Sequence, residues 1–368
     1  MISLADTLDT LSAHFPAALL PPEEYAAARA AAAALPAALT RWTYLECRLG
    51  GRPAPVDVIV EVDAAGREII TGANPALALP PGLAAAPAWE RVAGLCRRWA
   101  DPADPLHPWV DSLWLEFDVD PRAGGAPPLP GVFVAFTPAA FGTGTAGERS
   151  ARTEAALEAL LGGALDPARR AALRRVYRCL PGGATVLYAG CLLPRGTRAL
   201  RVCPVEVSAR DLPAFLRAAG WPGPYAPLEA ALAQLSAVRE GAPARDAALV
   251  HLDLDAGGVL GRLGLEYVFG RRTQVRGEIC EAAFLDHLVG AGLCTAQERD
   301  AMAAFPGAAR EQLPHELWKS LVVRRVNHVK LVFDAGRVEA KAYLCLHNRF
   351  LPRRPAPSPA AAPELAAV

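Results

Sequence analysis

Five times between roughly residues 40 and 350, two β-rich segments flank a turn and a helical stretch follows, and this recurrence constrains the chain more than any other feature. One supersecondary unit used repeatedly implies a single architecture built from copies. The pairs run TYLECRL to VDVIVEV, DSLWLEFDVD to GVFVAF, ATVLYAGCLL to RALRVCPVEV, ALVHLDLDAGG to GRLGLEYVF, and NHVKLVFDAGR to EAKAYLCL. Helical stretches such as PAWERVAGLCRRWA, ERSARTEAALEALLGG and EAAFLDHLVGAG separate them. The last two pairs resemble each other in detail. His251-x-Asp253 leads to Asp255-Ala-Gly, His328-x-Lys330 leads to Asp334-Ala-Gly, and a basic residue follows each turn, Arg262 and Lys341. Arg201 holds a comparable place in the third pair.

Neighbouring side chains on a strand point to opposite faces, so alternation assigns the faces. Val329, Leu331 and Phe333 share one face while His328 and Lys330 share the other; Ala340, Ala342, Leu344 and Leu346 lie opposite Lys341, Tyr343, Cys345 and His347. In the first pair Leu45, Cys47 and Leu49 alternate with Tyr44, Glu46 and Arg48, and in the second Leu113, Leu115 and Phe117 alternate with Trp114, Glu116 and Asp118. One face of every hairpin is apolar and can pack on helices; the other carries charges, rings and histidines. An open sheet with a solvated face satisfies this pattern, and so does a closed barrel whose polar face lines an interior. Ten antiparallel strands with helices outside close naturally, and closure removes exposed edges. The expected fold is therefore an α/β (α+β) closed ten-stranded antiparallel barrel of five ββ hairpins surrounded by helices.

The 368 residues fit one large domain or two ordinary ones, and the repetition chooses one: residues 1–351, beginning with Ala-rich helices. Residues 352–368, rich in Pro and Ala, are expected to be a disordered tail. The 38 basic residues balance the 38 acidic ones, so nothing recruits nucleic acid by bulk charge. The start lacks a signal-peptide pattern and no apolar run is long enough to span a bilayer, which leads us to expect a cytoplasmic protein with no membrane partner. Eight cysteines without C-x-x-C spacing read as reduced thiols. The 35 Arg against three Lys, with abundant Ala and Pro, suggest a GC-rich bacterial genome.

The arrangement resembles the ABBA aromatic prenyltransferases, whose PT-barrel is made of five αββα units with the active site inside. The resemblance is architectural over roughly residues 40 to 350, with local echoes in AKAYL, ALRVC and YLECRL. The last hairpin is also similar to uncharacterised proteins of bacterial peptide natural-product clusters. The resemblance implies transfer of a prenyl group from a prenyl diphosphate to an electron-rich side chain of a peptide or to a small aromatic acceptor. Some peptide-acting members depend on magnesium, so Mg2+ is a possible cofactor; no nucleotide cofactor is expected.

Prenyl transfer needs cations for a diphosphate, aromatic rings around an allylic cation and a base for the released proton. Arg48, Arg201, Arg262, Lys330 and Lys341 are candidates for the first, Tyr44, Trp114 and Tyr343 for the second, and Glu46, with Arg48 as its expected partner, for the third. Each arginine taken singly also fits an ordinary salt bridge. The polar face further carries seven carboxylates, Glu46, Asp57, Glu61, Glu116, Asp118, Asp253 and Glu266, against those five cations. That excess would repel a diphosphate unless the acids lie apart or a divalent metal bridges them. His251, Asp253 and His328 have metal-ligand chemistry. Two other functions therefore stay open: a barrel of peptide natural-product maturation that binds or modifies a peptide without a prenyl donor, and a metal-dependent tailoring enzyme. Gly142 to Gly147 fits G-x-G-x-x-G, but the preceding strand belongs to a hairpin and a dinucleotide site is not expected.

Overall fold

A computed structural model describes residues 2–51, 54–74, 77–119, 129–195, 199–239, 247–269 and 282–349. The proposed tail, from residue 352 onward, and Cys280 lie outside the described residues. The described residues form twelve strands: β1 (Trp42–Arg48), β2 (Asp57–Val62), β3 (Val110–Phe117), β4 (Gly131–Phe136), β5 (Thr185–Leu192), β6 (Leu200–Val205), β7 (Val207–Ser208), β8 (Ala247–Asp255), β9 (Gly258–Val268), β10 (Gly307–Glu311), β11 (Ser320–Asp334) and β12 (Arg337–Arg349).

The hydrogen-bonded order is β1-β2-β3-β4-β5-β6-β8-β9-β11-β12 and back to β1, a closed ten-stranded antiparallel ring; β7 and β10 are short additions on β8 and β11. The five expected hairpins are β1/β2, β3/β4, β5/β6, β8/β9 and β11/β12. Two pairings shut the ring: β1 with β12, and β9 with β11. The β11/β12 turn is a two-residue loop in which Ala335 and Gly336 both adopt positive φ, the geometry that matches strand twist.

Helices pack outside the ring, among them Ala64–Thr71, Pro87–Ala100, Ala146–Leu161, Pro167–Cys179, Leu212–Ala219, Ala282–Gly290 and Ala296–Ala304. The apolar strand faces meet them in one continuous core that includes Leu45, Val58, Leu115, Val202, Leu331 and Leu344. A second, separate cluster of Tyr44, Ile59, Tyr343 and Cys345, with Trp42 and Trp114 against it, lies on the other face, inside the barrel. Two clusters separated by the sheet are what alternation demands of a closed barrel. No described helix is long and apolar enough to cross a membrane. The seven described cysteines are free thiols.

Two local devices fix the frame. Thr295 and Glu298 form a capping box on Ala296–Ala304, and the same Glu298 carboxylate accepts the backbone N–H groups of Gly50 and Gly51 at 3.0 Å each, tying the β1 exit to a distant helix. The glycine motif is a helix junction. Gly142 ends Pro138–Gly142, and Thr145 caps Ala146–Leu161 in a box with Glu148. The Glu148 carboxylate accepts from the Thr145 N–H and hydroxyl, and Thr145 accepts from the Glu148 N–H.

Candidate functional site

The interior divides along the barrel axis into an aromatic chamber and an ionic floor. The chamber is a cavity of about 600 Å³ whose lining includes Tyr44, Trp114, Phe133, Tyr188, Phe269 and Tyr343. Trp114 stands between two rings, edge-on to Tyr44 at 5.1 Å and to Tyr188 at 6.2 Å between centroids. Glu116, His251, Glu266, His328 and Lys330 reach the chamber from its floor. Beyond them, Glu46, Arg201, Asp253, Arg262 and Lys341 line a much smaller polar pocket with Glu116, His251 and Lys330.

Cross-strand register builds the ionic floor. Glu46 on β1 faces Tyr343 on β12, and its buried carboxylate accepts from the Lys341 ammonium and the Tyr343 hydroxyl. Burial alone would raise the Glu46 carboxyl, but Lys341 and Lys330 more than offset it and hold it below the usual carboxylate range. The expected Glu46–Arg48 pair does not form. Arg48 instead donates to the Pro55 carbonyl at 2.9 Å and lies 3.5 Å from Asp57, because residues two apart on one strand are farther from each other than cross-strand neighbours.

Asp57 faces Glu46 across β1/β2, and its Oδ1 accepts from the Val119 N–H at 3.1 Å. Burial and the neighbouring Glu46 charge push its carboxyl up to about 7. Arg201 and Asp253, opposite each other on β6 and β8, form a buried two-bond pair at 2.6 and 3.0 Å. Burial would raise the Asp253 carboxyl, yet Arg201 keeps it below its ordinary value.

Lys330 is cross-strand to both Lys341 and Glu266. Its ammonium lies 3.2 Å from His251 Nδ1 and 3.9 Å from Glu266. Burial lowers the Lys330 ammonium below its usual range, with Arg201 adding to the fall. His251 Nε2 meets Glu266 Oε1 at 2.5 Å, and His328, stacked on the Tyr343 ring at 3.9 Å, has its Nε2 3.4 Å from the same oxygen. Burial keeps both imidazoles neutral, His251 well below its ordinary value and His328 at about 4.

The metal set is corrected by these contacts. Asp253 is turned to Arg201, so His251, Asp253 and His328 do not converge; Glu266 sits between the two imidazoles instead. Among the described residues no group of three or more such side chains is arranged to hold a metal ion. Glu46, Asp253 and Glu266 are matched to ammonium, guanidinium and imidazole groups, and carboxylates paired in this way do not suit a resident Mg2+.

Several interior residues escaped the sequence pattern. Tyr188 follows a bulge at Val186, and Arg325, which lies over the Trp42 ring at 4.7 Å, precedes a bulge at Val326; each bulge shifts the alternation. Phe133 is hidden in the continuously buried run GVFVAF. For Cys203, 3.5 Å from His251 Nδ1, no sequence signal existed beyond its position beside Arg201.

A closed ten-stranded antiparallel ring of five hairpins, jacketed by helices and holding its polar side chains inside, is the barrel expected from the sequence. No family model and no curated protein matches the chain. Among solved structures the chain is similar to the crystal structure of AnaPT from Neosartorya fischeri, at 14% identity and a TM-score of 0.47, over 83% of this chain and 77% of that one. The likeness is one of distant architecture.

Proposed function

We propose that the protein is a transferase that moves a prenyl group from its diphosphate to an electron-rich aromatic acceptor, a small molecule or a peptide side chain, inside the chamber. The supporting observation is the layering of one interior: a cavity of about 600 Å³ walled by Tyr44, Trp114, Phe133, Tyr188 and Tyr343, above a floor that pools Arg201, Arg262, Lys330 and Lys341. Ring faces stabilise an allylic cation through their quadrupoles, and low-dielectric surroundings strengthen that attraction. Guanidinium and ammonium groups complement a diphosphate leaving group.

A second reading, a chamber that binds or modifies a cationic peptide segment without a prenyl donor, is favoured by the charge pairing. Lys341, Arg201, Arg48 and Lys330 each face a carboxylate, whereas Arg262 has no ion-pair partner among the described residues. Titration calorimetry with dimethylallyl and geranyl diphosphate, with and without magnesium, separates the two. Donor binding that weakens by about 1.5 to 3 kcal/mol in Arg262→Ala supports prenyl transfer. Absence of binding under every condition leaves the peptide-binding chamber.

A further inference from the structure

Prenylation of an aromatic ring ends with loss of a ring proton, and the chamber must supply the acceptor. Glu46 is poorly placed for this. It does not line the chamber, and both of its oxygens are taken, one by Lys341 and the other by Tyr343. Glu266 does line the chamber, and the hydrogen-bond pattern around it fixes two imidazole tautomers. Lys330, a pure donor, lies 3.2 Å from His251 Nδ1; that nitrogen therefore accepts, and His251 Nε2–H donates to Glu266 Oε1 at 2.5 Å. The Asn327 amide nitrogen, 2.9 Å from His328 Nδ1, imposes the same tautomer on His328. The His328 Nε2–H is buried, satisfied by no hydrogen bond, and nearest to the same Glu266 oxygen at 3.4 Å.

We propose that Glu266 is the proton acceptor of the chamber, with His251, whose Nε2–H donates to one of its oxygens, and His328, whose Nε2 lies 3.4 Å from the same oxygen, as positioning residues. The proposal rests on the prenyl-transfer reading. In the step, the acceptor ring's electron pair forms a bond to C1 of the allyl group while the C1–O pair leaves with the diphosphate. The proton at the substituted ring carbon then passes to the Glu266 carboxylate, and the C–H electron pair restores aromaticity.

The test uses the full-length protein with dimethylallyl diphosphate and, as acceptors, free tryptophan, free tyrosine and short peptides containing them. Glu266→Gln should lower prenylated product by about 100-fold or more while donor hydrolysis to the allylic alcohol persists, because ionisation precedes proton loss. Nitrogen-15 NMR of the wild type should show both histidines protonated at Nε2, with the His251 Nε2 proton losing its downfield shift in Glu266→Gln. If that variant does not fold, Glu266→Asp, which keeps the charge but withdraws the carboxylate by one methylene, should show the same product-to-hydrolysis split. Product formation at the wild-type level in either variant, or either histidine protonated at Nδ1, overturns the assignment. Selective loss of product in Glu46→Gln with Glu266→Gln unimpaired transfers the role to Glu46. A wild type that neither binds nor consumes any donor refutes the prenyl-transfer reading itself.

Discussion

Glu46 stays ionised where water does not reach it because its two oxygens are claimed by two donors from β12. Removing one partner strands the other. Lys341→Met should therefore cost about 3 to 5 kcal/mol, as for other buried pairs broken on one side, whereas Glu46→Gln combined with Lys341→Met should recover most of it. Urea denaturation of the two single variants and the double variant measures this, and equal destabilisation by single and double changes would disprove the coupling. Asp57, directly opposite Glu46, responds to pH with the reverse sign. A depressed carboxyl such as Glu46 contributes stability above its unfolded value near 4.5, which is lost as pH falls through its folded value. A raised carboxyl such as Asp57 holds its proton in the folded state up to about 7 while the unfolded chain releases it near 3.8, so stability declines as pH rises across that window. Asp57→Asn keeps the oxygen that accepts from Val119 and removes the titration. Its urea midpoint should fall less than the wild type's between pH 4 and 8; parallel slopes would show that Asp57 does not titrate there.

At the scale of strands and turns, the apolar parity of β1, β3 and β12 was legible because one face meets helices and the other does not, and the burial of Leu45, Leu115 and Leu344 in the outer core follows that parity. Partnership was not legible. Glu46 and Lys341 are 295 positions apart, and no local pattern specifies which strand closes on which. Bulges at Val186, Leu252 and Val326 also reset the alternation that sequence reasoning extends in a straight line. The Asp253 assignment failed for a related reason: H-x-D alternation puts two side chains on one face, but the register with Arg201 decides what the second one meets. Gly264 shows what backbone space does for the floor. It sits on β9 opposite His251 and Val332, and a Cβ there would lie 2.7 Å from Lys330 Cε and 3.1 Å from His251 Cβ. Lys330 is held beside Glu266, His251 and the Tyr343 ring, so yielding to the new methyl would move its ammonium off these partners. Gly264→Ala should cost about 1 to 3 kcal/mol by overpacking and detach Lys330 from His251. A changed His251 imidazole resonance together with a lowered urea midpoint would show this. An unchanged resonance would mean that the lysine is not held there.

For the whole molecule, closure makes the first and last hairpins interdependent. β1 pairs with β12 from Trp42–His347 to Arg48–Lys341, and β9 pairs with β11 from Leu263–Phe333 to Val268–His328. A chain ended after Phe305 would keep four hairpins and most of the helices, yet it would lose both seams. It would also strip Lys330, Lys341 and Tyr343 from Glu46 and Glu266, leaving carboxylates without their counter-charges beside two unpaired strand edges. Either loss alone would be severe, and they arrive together because the strands that close the ring also carry the lysines of its floor. The truncated chain should therefore fail to form a packed interior: its near-ultraviolet circular dichroism should collapse while far-ultraviolet helix signal partly remains, and it should bind anilinonaphthalene sulfonate. Trp114 inside the chamber and Trp89 in the outer core report on opposite sides of the sheet, so the collapse should appear in single-tryptophan versions carrying either one. Retention of the Trp89 signal with loss of the Trp114 signal would show instead that the helical jacket packs on an open sheet, and that closure serves the chamber and not the fold.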